Sequence, residues 1–311
     1  VHAADDGWGS MDRYGFEGRV AVVTGAGRGI GRAYARLLAE RGASVVVNDL
    51  GGSIECEGTD AGPAATAAGE IVAAGGTAVA DASDVADGAG AQALVDTAIE
   101  QFGRLDILVN NAGIIRWAGL PEADEDNLSS HLAVHVLGSF NTTRAAWTGM
   151  VEQGYGRIVM TTSSGMFGLP TNLAYATAKA GVVGLTRSLA TAGAYHGIKI
   201  NAIAPAALTR MAGREPADDA GTTPMAPDRV APMVAYLAHE HCPVSGEVYA
   251  AGAGRFARIF IAQTEGYVDA TGTPTVEDVA DHWTEINDER GYSVPADLMD
   301  WSATFLAHQS G

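Results

Sequence analysis

The chain has 311 residues, 47% of them hydrophobic, enough for a substantial core, so disorder is set aside as its overall state. A formal charge of −18, with only 19 lysines and arginines, argues against nucleic acid as a partner, because phosphate binding needs clustered cations. Cys56 and Cys242 have no C-x-x-C or histidine-spaced neighbour, so neither a disulfide framework nor a metal site is expected; with no apolar run of about twenty residues and no basic-then-apolar leader, the sequence reads as cytoplasmic, without a membrane segment.

Along the chain, an acidic tail to about Phe16 falls outside the folded pattern. A first strand at Val20–Thr24 runs straight into Thr24-Gly25-Ala26-Gly27-Arg28-Gly29-Ile30-Gly31, which opens a helix near Ile30–Arg41. Glycines there make a tight turn, let backbone amides approach a pyrophosphate and point a helix N-terminus at the anion. A strand at Val45–Asn48 ends on Asp49, 18 residues after Gly31, close to the spacing of about 20 at which an acid takes the adenosine ribose hydroxyls. That carboxylate would repel a 2′-phosphate and predicts NAD over NADP, whereas Arg28 in the loop pulls towards NADP or is a solvated cation. Read blandly, Asp49 is a turn residue before Gly51-Gly52.

A helix at Ala64–Ala74 and a strand at Ala78–Ala80 lead to Asp84 and Val85; a helix at Gly88–Phe102 and a strand at Ile107–Val109 lead to Asn110-Asn111-Ala112-Gly113. Both groups fall at carboxyl ends of strands, where open α/β sheets bind ligands. Beyond them come a long helix at Glu125–Gln153, a strand at Ile158–Met160, a helix at Leu173–Tyr195, a strand at Ile198–Ile203, a helix at Pro227–His239 and a last strand within Val244–Tyr249. Short continuous apolar runs alternating with helices imply a parallel sheet covered on both faces. The domain is expected over 17–254. Residues 255–311 read as a helical extension, folded because Ile259, Phe260, Trp283 and Trp301 need burial.

Tyr175 and Lys179 lie four apart at the start of a helix, hence on one face. A nearby ammonium favours phenolate and moves a tyrosine pKa from about 10 towards working pH, as a general base requires.

Order and spacing then set these motifs in a family. Thr-Gly-x-x-x-Gly-Ile-Gly (24–31), Asn-Asn-Ala-Gly (110–113), Tyr-x-x-x-Lys (175–179) and Asn-Ala-Ile-Ala-Pro (201–205) resemble the short-chain dehydrogenases/reductases over about residues 18–254. The resemblance implies a doubly wound parallel sheet of the Rossmann type, a nicotinamide cofactor held by Gly25, Arg28, Gly29, Ile30, Gly31, Asp49, Asp84, Val85, Asn111, Ala112, Gly113, Tyr175, Lys179 and Pro205, and hydride transfer between NAD(H) and a secondary alcohol or ketone. Tyr175 inherits the proton exchange, and Lys179 the ribose contact and the lowering of the tyrosine pKa. The family's substrate-orienting serine stands about thirteen residues before the tyrosine, which gives Thr162, with Ser163 second. The family's helix asparagine is replaced by His135, read either as part of a proton relay or as packing.

A narrower resemblance is to the dehydrogenase unit of peroxisomal multifunctional enzyme type 2, through Asn48-Asp49-Leu50-Gly51-Gly52, Val134-His135, Arg144-Ala145-Ala146-Trp147, Tyr155-Gly156-Arg157-Ile158, Thr209-Arg210-Met211 and Gly252-Ala253-Gly254. It implies (3R)-hydroxyacyl-CoA oxidation in lipid metabolism, with Arg116, Arg210, Arg214 and Arg255 as candidate CoA contacts. The alternatives are a steroid or other hydrophobic alcohol as substrate, and a non-catalytic NAD-binding sensor or scaffold. Leu132, Val136 and Phe140, with Val182, Leu185 and Leu189, form apolar stripes beyond what one sheet face needs, so a homodimer or homotetramer is expected.

Overall fold

A computed structural model describes residues 14–53, 55, 58–208, 223–269 and 272–310. Cys56, Arg210, Arg214, the Thr209–Met211 motif and most of the acidic tail lie outside the described residues. Four strands with apolar centres, β1 (Val20–Val23), β2 (Ser44–Asn48), β4 (Ile107–Asn110) and β5 (Gly156–Thr161), are buried along nearly their whole length, as strands covered on both faces must be. With β3 (Thr77–Asp81), β6 (Ile198–Ala206), β7 (Val248–Gly252) and β8 (Arg255–Ile259) they form one sheet in the order β3-β2-β1-β4-β5-β6-β7-β8. Pairing is parallel from β3 through β7. The short link from β7 to β8 permits only an antiparallel return.

From β1 the chain winds outward to β2 and β3, then crosses back to β4 on the other side of β1. The crevice at the carboxyl ends of β1 and β4 is therefore the switch point where such sheets bind ligands. Helix α1 (Gly29–Glu40) packs on α2 (Gly62–Ala73) and α7 (Ala231–Ala238), and α3 (Gly88–Phe102) packs on α5 (Gly138–Gln153). Tyr34, Leu38, Val45, Val47, Ile107, Val109, Val234 and Leu237 share the core between α1 and the sheet.

Several expectations are corrected. Phe16 is buried and its N–H donates to the Arg41 carbonyl at 2.7 Å, so the fold begins before the end of the supposed tail. The single helix expected over 125–153 is α4 (Glu125–His131), a π turn (Leu132–Leu137) and α5; the wider turn takes up extra chain within a continuous helix, a device common at functional sites. The last parallel strand starts later than Val244, because Gly246 (φ 85°) is a turn, and β8 follows it.

The chain divides into two compact units, the second beginning at Ile259. This unit carries α8 (Val276–Asp281), α9 (Trp283–Ile286) and α10 (Leu298–Phe305), an antiparallel bridge from Gln263 to Ser293, and rings stacked as Tyr267 on His282 and Trp301 on Phe305. Burial of all four apolar residues named for this segment does not hold: Phe260 and Trp283 are exposed, and Ile259 and Trp301 are half-buried, because a unit this small has too little interior to enclose them.

Candidate active site

A cleft of about 370 Å³ opens at the switch point, lined by Gly25, Arg28, Gly29, Ile30, Gly31, Asp49, Asp84, Val85, Asn111, Ala112 and Gly113. Its floor is backbone. Gly25 and Gly29 turn with φ of 61° and 55°. A methyl group on Gly31 would stand 2.3 Å from the Gly25 carbonyl oxygen, so only glycine permits this approach. Helix α1 has no side-chain cap and no acidic residue in its first turn, which leaves its leading N–H groups for an anion in the cleft. A dinucleotide pyrophosphate fits that cradle.

The loops are welded together by side chains. Thr24 Oγ1 accepts the N–H groups of Asn111 and Ala112, both at 2.9 Å, while Asn111 Nδ2 donates to the carbonyls of Thr24 and Gly25 at 3.0 Å. Asn110 turns inward, donating to Thr143 Oγ1 and accepting from Thr142 Oγ1, and so fixes α5 to β4. Asp49 accepts the Gly27 N–H at 2.9 Å and the Gly51 N–H at 2.8 Å. It is at once a turn residue and a carboxylate lining the cleft. Pro205 stands apart, in β6 opposite Ala251 of β7.

Helix α6 (Leu173–Gly193) starts at Asn172, whose Oδ1 accepts the Tyr175 N–H at 3.1 Å, and Lys179 follows one turn later. Lys179 is buried; its Nζ donates to the Thr161 carbonyl at 2.8 Å, and burial lowers its pKa to about 7. Nζ lies 5.6 Å from the Tyr175 ring centroid. The expected lowering of the tyrosine pKa is not what the protein by itself provides: burial pushes the Tyr175 phenol up, with the Ser163 hydrogen bond working against it.

The two hydroxyl candidates are placed differently. Thr162 is buried, its N–H still tied to the Ile203 carbonyl of β6, and its Oγ1 donates to the Lys179 carbonyl at 2.6 Å. Side chains alternate along extended chain, so the next residue, Ser163, meets Tyr175 instead. Counting back from the tyrosine gives Thr162, across a 164–172 segment that includes a turn of 3₁₀ helix.

His135 is buried from the π turn, with Nε2 2.9 Å from the Ile114 carbonyl oxygen and 3.3 Å from its N–H. Its ring meets Tyr175 edge-on, with centroids 5.5 Å apart. Burial, then the Lys179 charge, holds its pKa well below the ordinary value. His131 stacks on His135 at 5.9 Å and meets Tyr175 at 6.2 Å; histidines four apart at the end of a polar helical turn make no motif that points to a site. Trp117, Leu120 and Phe167 are exposed in the loops after β4 and β5. Of the suggested CoA contacts, Arg116 is paired with Asp126 at 2.8 Å and Arg255 is exposed. On the proposed subunit interface, Val182 is buried within the chain, whereas Phe140 is exposed and Leu132, Val136, Leu185 and Leu189 are half-buried. Among the described residues no helix is long and apolar enough to cross a membrane.

Residues 19–220 match the family model described as short chain dehydrogenase. The chain is 44% identical over 278 residues to the peroxisomal multifunctional enzyme type 2 of Drosophila melanogaster, an alignment covering 88% of this chain and 46% of that protein, so it spans about half of that relative's length. It is 42% identical over 281 residues to a short-chain type dehydrogenase/reductase of Mycobacterium tuberculosis, covering 90% of this chain and 98% of that one. A crystal structure of a short chain dehydrogenase from Mycobacterium avium superposes with a TM-score of 0.77 at 37% identity, covering 88% of this chain and 97% of that chain.

Proposed function

Since this chain belongs to the short-chain dehydrogenase family and is an oxidoreductase, we propose that it oxidises the secondary alcohol of a 3-hydroxyacyl-CoA to a ketone with NAD, in lipid metabolism. The observation that carries the reading is the grouping of Tyr175, Ser163 and Lys179 at the carboxyl end of the sheet, where the glycine-turned cleft also opens. Bound NAD supplies the hydride acceptor. Ser163 orients the substrate oxygen, and Tyr175 takes its proton; for that, the phenol must be brought down from the value burial imposes, and the protonated Lys179, with Nζ 5.6 Å from the ring centroid, is a charge able to do so. Asp49 disfavours a 2′-phosphate, which is the ground for NAD over NADP.

The Arg116–Asp126 pair gives some weight to the second reading, a steroid or other hydrophobic alcohol, because a paired arginine is less available to a CoA phosphate, while exposed Trp117 and Phe167 suit either substrate. The test offers hydroxyacyl-CoAs, steroids and simple alcohols with NAD or NADP and follows absorbance of the reduced cofactor. Turnover of hydroxyacyl-CoA with NAD is expected. Turnover of steroids alone moves the substrate, NADP alone moves the cofactor, and cofactor binding without any turnover makes the protein a sensor or scaffold.

Association as a homodimer or homotetramer through α5 and α6 is part of the reading, and a light-scattering mass near the 31.9 kDa of one chain refutes it. A cytoplasmic location is tested by fractionation, with recovery in an organelle overturning it.

A further inference from the structure

The loop leaving β4 is held from one side by α4. The Arg116 N–H points at His131 Nε2, 3.2 Å away, and the Arg116 carbonyl accepts from Asn127 Nδ2 at 3.0 Å. Its guanidinium reaches Asp126 and Ser130, at 2.8 and 2.9 Å. All four partners sit on one short helix, so the backbone and the side chain of Arg116 are fixed together. Two residues earlier, His135 Nε2 lies 2.9 Å from the Ile114 carbonyl oxygen and donates to it. Alternate residues of the loop thus bond histidines four apart in the chain, one through its carbonyl and the other through its amide.

The His131 tautomer follows from its partners. Nδ1 lies 2.8 Å from the Asn127 carbonyl oxygen, which only an N–H can satisfy, so the proton sits on Nδ1 and the Nε2 lone pair is free to accept from Arg116. A protonated ring would turn an N–H against an N–H. Burial, with the nearby Arg116 and Lys179 charges, favours the neutral ring. The same ring stacks on His135 and closes on the edge of Tyr175.

We propose that His131 is a positioning residue of the reaction centre: its neutral imidazole accepts the Arg116 amide, braces His135 and the Tyr175 ring, and so sets the rim at 114–117 against the reacting phenol. Nothing in the family motifs assigns it a part. The kinetic side of the proposal rests on the dehydrogenase reading; the backbone side does not.

Two variants of the full chain separate the outcomes. His131→Gln keeps an acceptor at the reach of Nε2, and His131→Leu keeps volume without one. Hydrogen exchange in the 114–117 peptide is expected to accelerate about tenfold in the leucine variant and to return close to wild type in the glutamine variant, while β1 and α1 stay protected. With the alcohol found in the substrate panel, KM should rise about tenfold in His131→Leu, with a smaller change in kcat, and recover in His131→Gln. Equal behaviour of the two variants, or unchanged exchange in His131→Leu, overturns the proposal. Should the leucine variant fail to fold, the wild type decides: after correction for intrinsic rates, acidification through the His131 titration must release the 114–117 amides, and their continued protection refutes it. If no alcohol is turned over, the exchange result stands and only the dehydrogenase reading fails.

Discussion

The nucleotide cleft and the catalytic corner sit on neighbouring strand ends yet are built from different material. The cleft is shaped chiefly by local backbone conformation: glycines with positive φ, the uncapped start of α1, and loops clamped by Thr24 and Asn111. The corner is made of side chains from three places, Ser163 after β5, Tyr175 and Lys179 on α6, and the two histidines around the π turn, brought together from segments distant in sequence. Backbone sites need particular residue types at fixed short spacings, and so they are written as motifs. Side-chain sites depend on which way a residue points, and one step along the chain changes that.

The difference can be broken from either end. Tyr175→Phe should lower turnover by about 10²–10⁴ and leave NAD affinity nearly unchanged, since the phenol acts on the proton and the cleft on the nucleotide; retention of more than about a tenth of the activity removes Tyr175 from its role. Ser163→Ala should cost about 10²–10³ in kcat, the size of one lost donor at a reacting oxygen. Thr162→Val, by contrast, should chiefly lower stability, by about 1 kcal/mol, through its lost bond to the Lys179 carbonyl. The opposite order in steady-state kinetics would restore Thr162 to the position that counting back from the tyrosine gives it.

On the backbone side, Gly31→Ala drives a methyl group against the Gly25 carbonyl and should weaken NAD by about tenfold or more, without changing kcat at saturating cofactor. Calorimetric titration showing intact affinity would mean the loop can shift. Asp49→Ala should narrow the preference for NAD over NADP by about tenfold, by removing repulsion rather than adding a contact. Thermal-shift titrations with both cofactors read this, and an unchanged ratio would detach Asp49 from specificity.

The smallest effect is on stability against pH. Burial lowers the pKa values of His131, His135 and His239, so below about 6.5 the unfolded chain takes up protons that the folded one refuses, and stability is lost as pH falls through that range. Lys179, with a folded pKa of about 7 against an unfolded value near 10.4, adds stability as pH rises from 7. The melting temperature should therefore climb between pH 5.5 and 9, by about 2–4 °C for each kcal/mol. In Lys179→Met the part above pH 7 should vanish; a slope identical to wild type would show that the ammonium stays charged when buried.

How far the sequence reaches is seen in individual residues. Gly25, Gly31, Asp49 and Asn111 were legible, because a tight turn, a close approach and a strand-end carboxylate each demand a residue type at a countable distance. The parallel sheet was legible for a similar reason: strands covered on both faces must be apolar throughout. Tyr175 and Lys179 were legible as a pair on one helix face, but not the raised phenol or the depressed ammonium, which come from burial that no local pattern records. That the Thr162 hydroxyl is spent on the Lys179 carbonyl needed the register of β5 against β6 and the direction of α6. His131 needed the π turn, Asn127 and the loop after β4 at once. The sequence by itself determined what the backbone must do locally, since those constraints act over a few residues; only the tertiary structure decided where side chains point and how deeply they are buried, since those depend on contacts made across the whole sheet.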